Sequence, residues 1–148
     1  MIIYLGTDHA GFKLKESLKT YLAGLGYEVE DFGAFEYDPN DDYPDFIRSV
    51  AEAVAKNPDE DRGIILGGSG QGEAMVANRF PGIRAAVFYG GPQDIIKLSR
   101  EHNNANILSL GARFLSEEQA KQAVKLWLET SFSNEERHIR RIKKIDAN

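Results

Sequence analysis

The chain has no cysteine among its 148 residues. That absence removes disulfides, thiolate metal sites and any thiol nucleophile or base together, and it suits a reducing compartment. Long apolar runs are missing too: none approaches the ~20 residues a membrane helix needs, so no membrane partner is expected. Met1 runs straight into Ile2-Ile3-Tyr4-Leu5-Gly6 without a basic or extended apolar leader, which predicts no signal peptide and a cytoplasmic location. Excess positive charge is absent as well. A net charge of −5 argues against a nonspecific nucleic-acid partner.

That total is unevenly spread. Residues 1–61 carry 5 Lys/Arg against 14 Asp/Glu, whereas residues 62–148 carry 13 against 9. The asymmetry reads either as scattered surface charge or as cations gathered for an anion. Overall, 42% hydrophobic and 28% charged residues describe a globular chain, and the length predicts one domain over residues 1–148.

Short apolar runs alternate with amphipathic ones. Ile2–Leu5, Val29–Phe32, Gly63–Leu66, Ile83–Phe88 and Asn106–Leu110 read as buried strands. Over Phe12–Leu25, Leu14, Leu18, Tyr21, Leu22 and Leu25 share one helical face, with Gly26 as the stop. Phe46, Val50, Ala53 and Val54 give a second helix. Ser116 with Gln119, and Ser133 with Glu136, read as capping boxes; the second would open a last helix from Asn134 to about Ile145. The predicted fold is α/β: a three-layer doubly wound sandwich, Rossmann-like, with a five-stranded parallel sheet and a C-terminal helix. Such sheets bind ligands outside the carboxyl ends of their strands, which directs attention to the segments after Leu5, Leu66, Phe88 and Leu110.

The irregular stretch Gly33–Asp45 is acidic. Asp38, Asn40 and Asp42 begin like a calcium loop, but Tyr43 replaces the needed Gly and Ser49 the needed bidentate Glu. It reads as a solvated loop, and no metal is expected.

Four segments could carry chemistry. Asp8 and His9 follow the first strand and either meet a polar ligand or serve as a helix cap and a surface imidazole. Gly67-Gly68-Ser69-Gly70-Gln71-Gly72-Glu73 follows the third strand. It fails as a Walker loop, as a dinucleotide fingerprint and as a nucleophile elbow, because Glu73 and Gln71 stand where those motifs need other residues. What remains is a turn rich in N–H donors with a carboxylate at its lip, suited to stabilising an oxyanion and moving a proton; a tight turn capped by Glu73 is the plainer alternative. His102, among polar neighbours, is the histidine whose context best suits acid–base work, although a structural role stays open. Arg137 and Arg141 lie four apart on a helix and, with Arg113, could grip one anion or simply form a solvated basic tail.

Asp8-His9-Ala10-Gly11, Asp42-Tyr43-Pro44, Gly68-Ser69-Gly70-Gln71-Gly72, Arg100-Glu101-His102-Asn103-Asn104-Ala105 and Arg137-His138 with Arg141 occur in order along nearly the whole chain. This set resembles the ribose-5-phosphate isomerase B family, which includes the galactose-6-phosphate isomerase subunits. The resemblance implies an aldose–ketose isomerase acting through an enediolate, without metal or other cofactor. It implies that His102 opens the sugar ring, Asn103 binds a hydroxyl, and Ser69 with Gly68, Gly70, Gln71 and Gly72 holds the enediolate. Asp8, His9 and Tyr43 would contact substrate, while Arg113, Arg137, His138 and Arg141 would hold its phosphate. Many relatives place a cysteine base where Gly67 stands; Glu73 matches the carboxylate of a second branch. Family sites lie between subunits, so a homodimer or a dimer of dimers with shared sites is expected. A hexose 6-phosphate isomerase and a non-catalytic sugar-phosphate binding module are the rival readings.

Overall fold

The computed structural model describes residues 1–147. In chain order it contains β1 (Ile2–Thr7), a 3-10 turn (His9–Gly11), α1 (Phe12–Gly24), β2 (Glu28–Asp31), α2 (Tyr43–Ala55), β3 (Arg62–Gly67), α3 (Gln71–Ala77), β4 (Ala85–Phe88), α4 (Asp94–Glu101), β5 (Ile107–Gly111), α5 (Glu117–Glu129) and α6 (Glu136–Ile145). The strands form one parallel sheet in the order β2-β1-β3-β5-β4. The expected three-layer α/β sandwich is therefore present.

Residues 63–67 of β3 and all of β5 are buried, as central parallel strands covered on both faces must be. On one face Leu18, Leu22, Ile96, Ala120, Val124 and Trp127 bring α1, α4 and α5 onto the sheet. Ile47, Val50, Val54 and Ala77 bring α2 and α3 onto the other. The winding direction reverses between β1 and β3, and there the Thr7 hydroxyl donates to the Leu66 carbonyl at 3.0 Å. That bond ties two strand ends together at the crevice where doubly wound sheets bind ligands.

Several boundaries move for local reasons. The Ser116–Gln119 capping box forms in both directions, at 3.1 and 2.9 Å. The second box does not form. Asn134 adopts a left-handed φ of 57°, so α6 begins at Glu136, and the Ser133 hydroxyl accepts only from the Glu135 N–H, at 3.3 Å. β4 starts at Ala85, two residues later than expected, because the Arg84 N–H goes to the Asn106 side chain at 2.8 Å instead of into the ladder.

Candidate functional site

β1, β3 and β5 end level with one another, Thr7 beside Leu66 and Gly67 beside Gly111. The chain leaves β3 into the glycine-rich turn, where Gly70 takes φ +78°, a conformation costly for any side chain. The turn is fastened from below: Ser109 donates to the Gly70 carbonyl at 2.6 Å. Ala112 and Arg113 N–H groups reach the Gly67 and Gly68 carbonyls at 2.8 and 3.1 Å. Arg113 consequently lies over the turn, its Nη1 3.1 Å from where a Cβ on Gly68 would stand. Ser69 Oγ accepts from the Gln71 N–H at 3.3 Å and helps start α3.

Glu73 occupies the first turn of α3 and is 4% exposed. Its carboxyl group fills the space in front of Gly67, so a Cβ at Gly67 would coincide with it. Burial raises the Glu73 pKa above the usual carboxylate value, and the nearby Asp8 charge adds to that shift. A carboxylate in this state is a stronger proton acceptor than one in water, and it sits beside N–H donors suited to an oxyanion.

Asp8, only 6% exposed, caps the 3-10 turn by accepting from the Ala10 N–H at 3.0 Å. His9 is joined by a residue that the sequence left in a solvated loop. Asp41 Oδ1 accepts from the His9 backbone N–H at 3.0 Å and lies 2.7 Å from His9 Nδ1. Asp8, His9 and Asp41 bring potential ligand atoms within 4.8 Å of one another, and among the described residues they are the cluster best able to hold a cation. Their mutual hydrogen bonds and the Asp8 cap already account for this arrangement. Tyr43 reaches the same edge, its hydroxyl lying over Gly72.

His102, Asn103, Arg137, His138 and Arg141 belong elsewhere. His102 caps the end of α4, and α4 runs back from the carboxyl end of β4 toward the amino edge of the sheet. Six residues of β3 at about 3.3 Å each separate the two edges by roughly 20 Å. The His102 and His138 rings stack there, 4.2 Å between centroids and 16° from parallel. His138 is 4% exposed with Nε2 unpartnered. Burial, and then the neighbouring His102, lower its pKa and favour the neutral ring. Arg137 and Arg141 are exposed on α6, with Arg137 Nε 2.9 Å from Glu135 Oε2. The far end of α6 is pinned by Arg84 Nη1 at 3.0 Å from Asp146 Oδ2. A cavity of about 560 Å³ opens beside Asn103, lined also by Arg79, Phe80, Arg84 and Ile145.

Arg100 builds this second cluster; the sequence showed it only as part of the 100–105 motif, with no role attached. Buried at 5% exposure, it donates to Thr130 O (3.1 Å), Asn104 Oδ1 (2.9 Å) and Ala105 O (2.6 Å), with its guanidinium 5.8 Å from the Trp127 ring centroid. Burial and the positive charges of Arg62 and Arg84 lower its pKa to about 10. The segment bearing His102 and Asn103 is thus held by Arg100 together with Arg84, whose Nε lies 3.1 and 3.2 Å from the Asn103 and Asn104 carbonyl oxygens. Within one chain, Asp8, His9, Tyr43, the 68–73 turn and Arg113 come together, while His102, Asn103, Arg137, His138 and Arg141 gather at the opposite edge.

A family model described as Ribose/Galactose Isomerase matches residues 3–145. The chain is 42% identical over 142 residues to the ribose-5-phosphate isomerase B of Mycolicibacterium paratuberculosis, covering 96% of this chain and 87% of that protein. It is 39% identical over 145 residues to the ribose-5-phosphate isomerase B of Escherichia coli K12, covering 98% and 94%. Among solved structures, ribose-5-phosphate isomerase B from Mycoplasma genitalium with bound ribulose-5-phosphate superposes with a TM-score of 0.94 at 38% identity, covering 99% of this chain and 94% of that one. The Clostridium thermocellum ribose-5-phosphate isomerase B gives 0.91 at 44% identity, covering 99% and 96%.

Proposed function

This chain belongs to the ribose/galactose isomerase family, and from that membership we propose that it interconverts ribose 5-phosphate and ribulose 5-phosphate by metal-free proton transfer, with Glu73 as the base. The observation that carries the reading is Glu73 itself: a buried carboxylate with a raised pKa, wedged against Gly67 beside a turn of N–H donors.

Ionised Glu73 takes the proton from C2 of the open-chain aldose. The electron pair moves into the C1–C2 bond, and the carbonyl oxygen on C1 gains negative charge. Backbone N–H groups of the 68–72 turn and the Ser69 hydroxyl stabilise that enediolate. Protonated Glu73 then returns the proton to C1, while the proton on O2 moves to O1, leaving the ketone at C2 and a carboxylate ready for another turn.

His102 opens the furanose ring by moving a proton between the ring oxygen and O1, and Asn103 holds a sugar hydroxyl. Arg113, Arg137 and Arg141 grip the phosphate, and Asp8, His9, Tyr43 and Gln71 orient the sugar. His138, whose ring is buried against His102, backs that imidazole. Because Glu73 and His102 lie at opposite edges of one sheet, a complete site takes its carboxyl-edge groups from one protomer and its amino-edge groups from a second copy in a symmetric dimer.

Glu73→Gln is expected to lower kcat about 10³-fold, in the range general base catalysis supplies, while phosphate-ligand binding persists. Near-normal turnover would remove Glu73 as the base. Mixing inactive Glu73→Gln and His102→Ala proteins should restore about a quarter of wild-type activity, since half the dimers then carry one intact site of two. No recovery on subunit exchange would refute the shared site. Ribose 5-phosphate should be turned over faster than hexose 6-phosphates, and a chelator should leave the rate unchanged.

A further inference from the structure

We propose that Asp41 is a positioning residue that sets the tautomer and orientation of His9 and so tightens sugar-phosphate binding. The inference rests on the isomerase reading for its kinetic arm; its spectroscopic arm does not.

A single oxygen, Asp41 Oδ1, takes both the His9 main-chain N–H at 3.0 Å and Nδ1 at 2.7 Å. A carboxylate only accepts, so in the neutral ring the proton sits on Nδ1 and the lone pair on Nε2. Nε2 is then the ring's one remaining polar atom, free to face a ligand. Asp8 cannot supply this selection, because its Oδ2 is 4.0 Å from Nδ1, beyond hydrogen-bond range. The Tyr37 ring meets the imidazole edge-on at 6.2 Å and limits its rotation from another side.

The rest of the loop fits this purpose. Residues 35–40 are exposed, yet the Asp41 side chain keeps only 9% of its exposure, and its second oxygen is buried without a partner. Desolvating a carboxylate oxygen without a donor costs stability. The loop accepts that cost while directing the other oxygen onto His9, a side chain that itself remains 24% exposed at the carboxyl edge.

Ring 15N chemical shifts test the tautomer directly. The chain has three histidines, so loss of one signal set in His9→Ala assigns His9. Wild-type His9 should carry its proton on Nδ1, and Asp41→Leu should shift the signals toward the Nε2-protonated form. Unchanged shifts would overturn the proposal. In steady-state kinetics, Asp41→Leu should raise KM for ribose 5-phosphate about 10-fold, the loss of one charge-assisted hydrogen bond, with kcat within about twofold. Asp41→Asn, whose amide oxygen can still accept, should recover most of the affinity, and it serves as the test if the leucine variant fails to fold. Adding Asp41→Leu to His9→Ala should raise KM no further. Additive effects would overturn the proposal by making Asp41 independent of His9. A wild-type protein inactive on ribose 5-phosphate would defeat the isomerase reading and leave the tautomer result to decide Asp41's role.

Discussion

The carboxyl and amino edges of the sheet are built in contrasting ways. At the carboxyl edge, functional groups emerge from central strands and are fixed chiefly by main-chain bonds, Ala112 to Gly67 and Arg113 to Gly68, with one side chain, the Ser109 hydroxyl, added on the Gly70 carbonyl. At the amino edge, the corresponding groups sit on the end of α4 and on α6, and side chains hold them: Arg100 through three carbonyl or amide oxygens, Arg84 through Asp146, His138 by stacking on His102. The first arrangement suits a base and an oxyanion nest, which need fixed geometry. The second suits a cationic grip, where charge tolerates more displacement than proton transfer does, and its one proton-transfer group, His102, is steadied by the stacked His138 ring.

If that contrast holds, disturbing each edge should fail differently. Arg100→Met leaves the Thr130 and Ala105 carbonyls unpaired and should destabilise the fold by about 3 kcal/mol in urea denaturation. An unchanged midpoint would mean that the amino edge does not depend on its buried cation. Gly67→Ala pushes a methyl group into the Glu73 carboxyl position; kcat should fall about 10²-fold, the cost of displacing a reacting group by an ångström, with little change in phosphate-ligand affinity.

Glu73 should also trade stability for activity. Burial raises its folded-state pKa, so the folded protein holds that proton more tightly than the unfolded chain does. Its stabilising contribution is complete below the unfolded carboxyl pKa, about 4.3, and is lost as pH rises through the folded value. Glu73→Gln should therefore melt above wild type at pH 8, the two curves converging near pH 4. A constant difference across that range would contradict the linkage. Finally, Ser116→Ala should cost about 1 kcal/mol and Ser133→Ala only a few tenths, since only the first serine closes a capping box. Equal losses by thermal denaturation would restore the second box.

Elements were legible where the local pattern decides the outcome. The buried runs of β1, β3 and β5 and the Ser116 cap could be read directly, because parallel strands show continuous apolar residues and a capping box spans four positions. Ser133 misled because a left-handed Asn134 interrupts the box, and φ at one residue leaves no trace in composition. Glu73 was visible as a carboxylate after a glycine turn, but its wedge against Gly67 is a tertiary contact. Asp41 was missed because its partner His9 lies 32 residues away, and an acidic loop looks alike whether its side chains face water or an imidazole. The division of the site residues between two edges follows from which end of each strand a loop joins, information that exists only once strand order is known.

Glu73's occupation of the space before Gly67 constrains position 67 itself. Any side chain there lands on the carboxyl group, so glycine at 67 and an ordered glutamate at 73 come as a pair in this backbone. A redesign that places a thiol at 67 therefore has to shorten residue 73 in the same step.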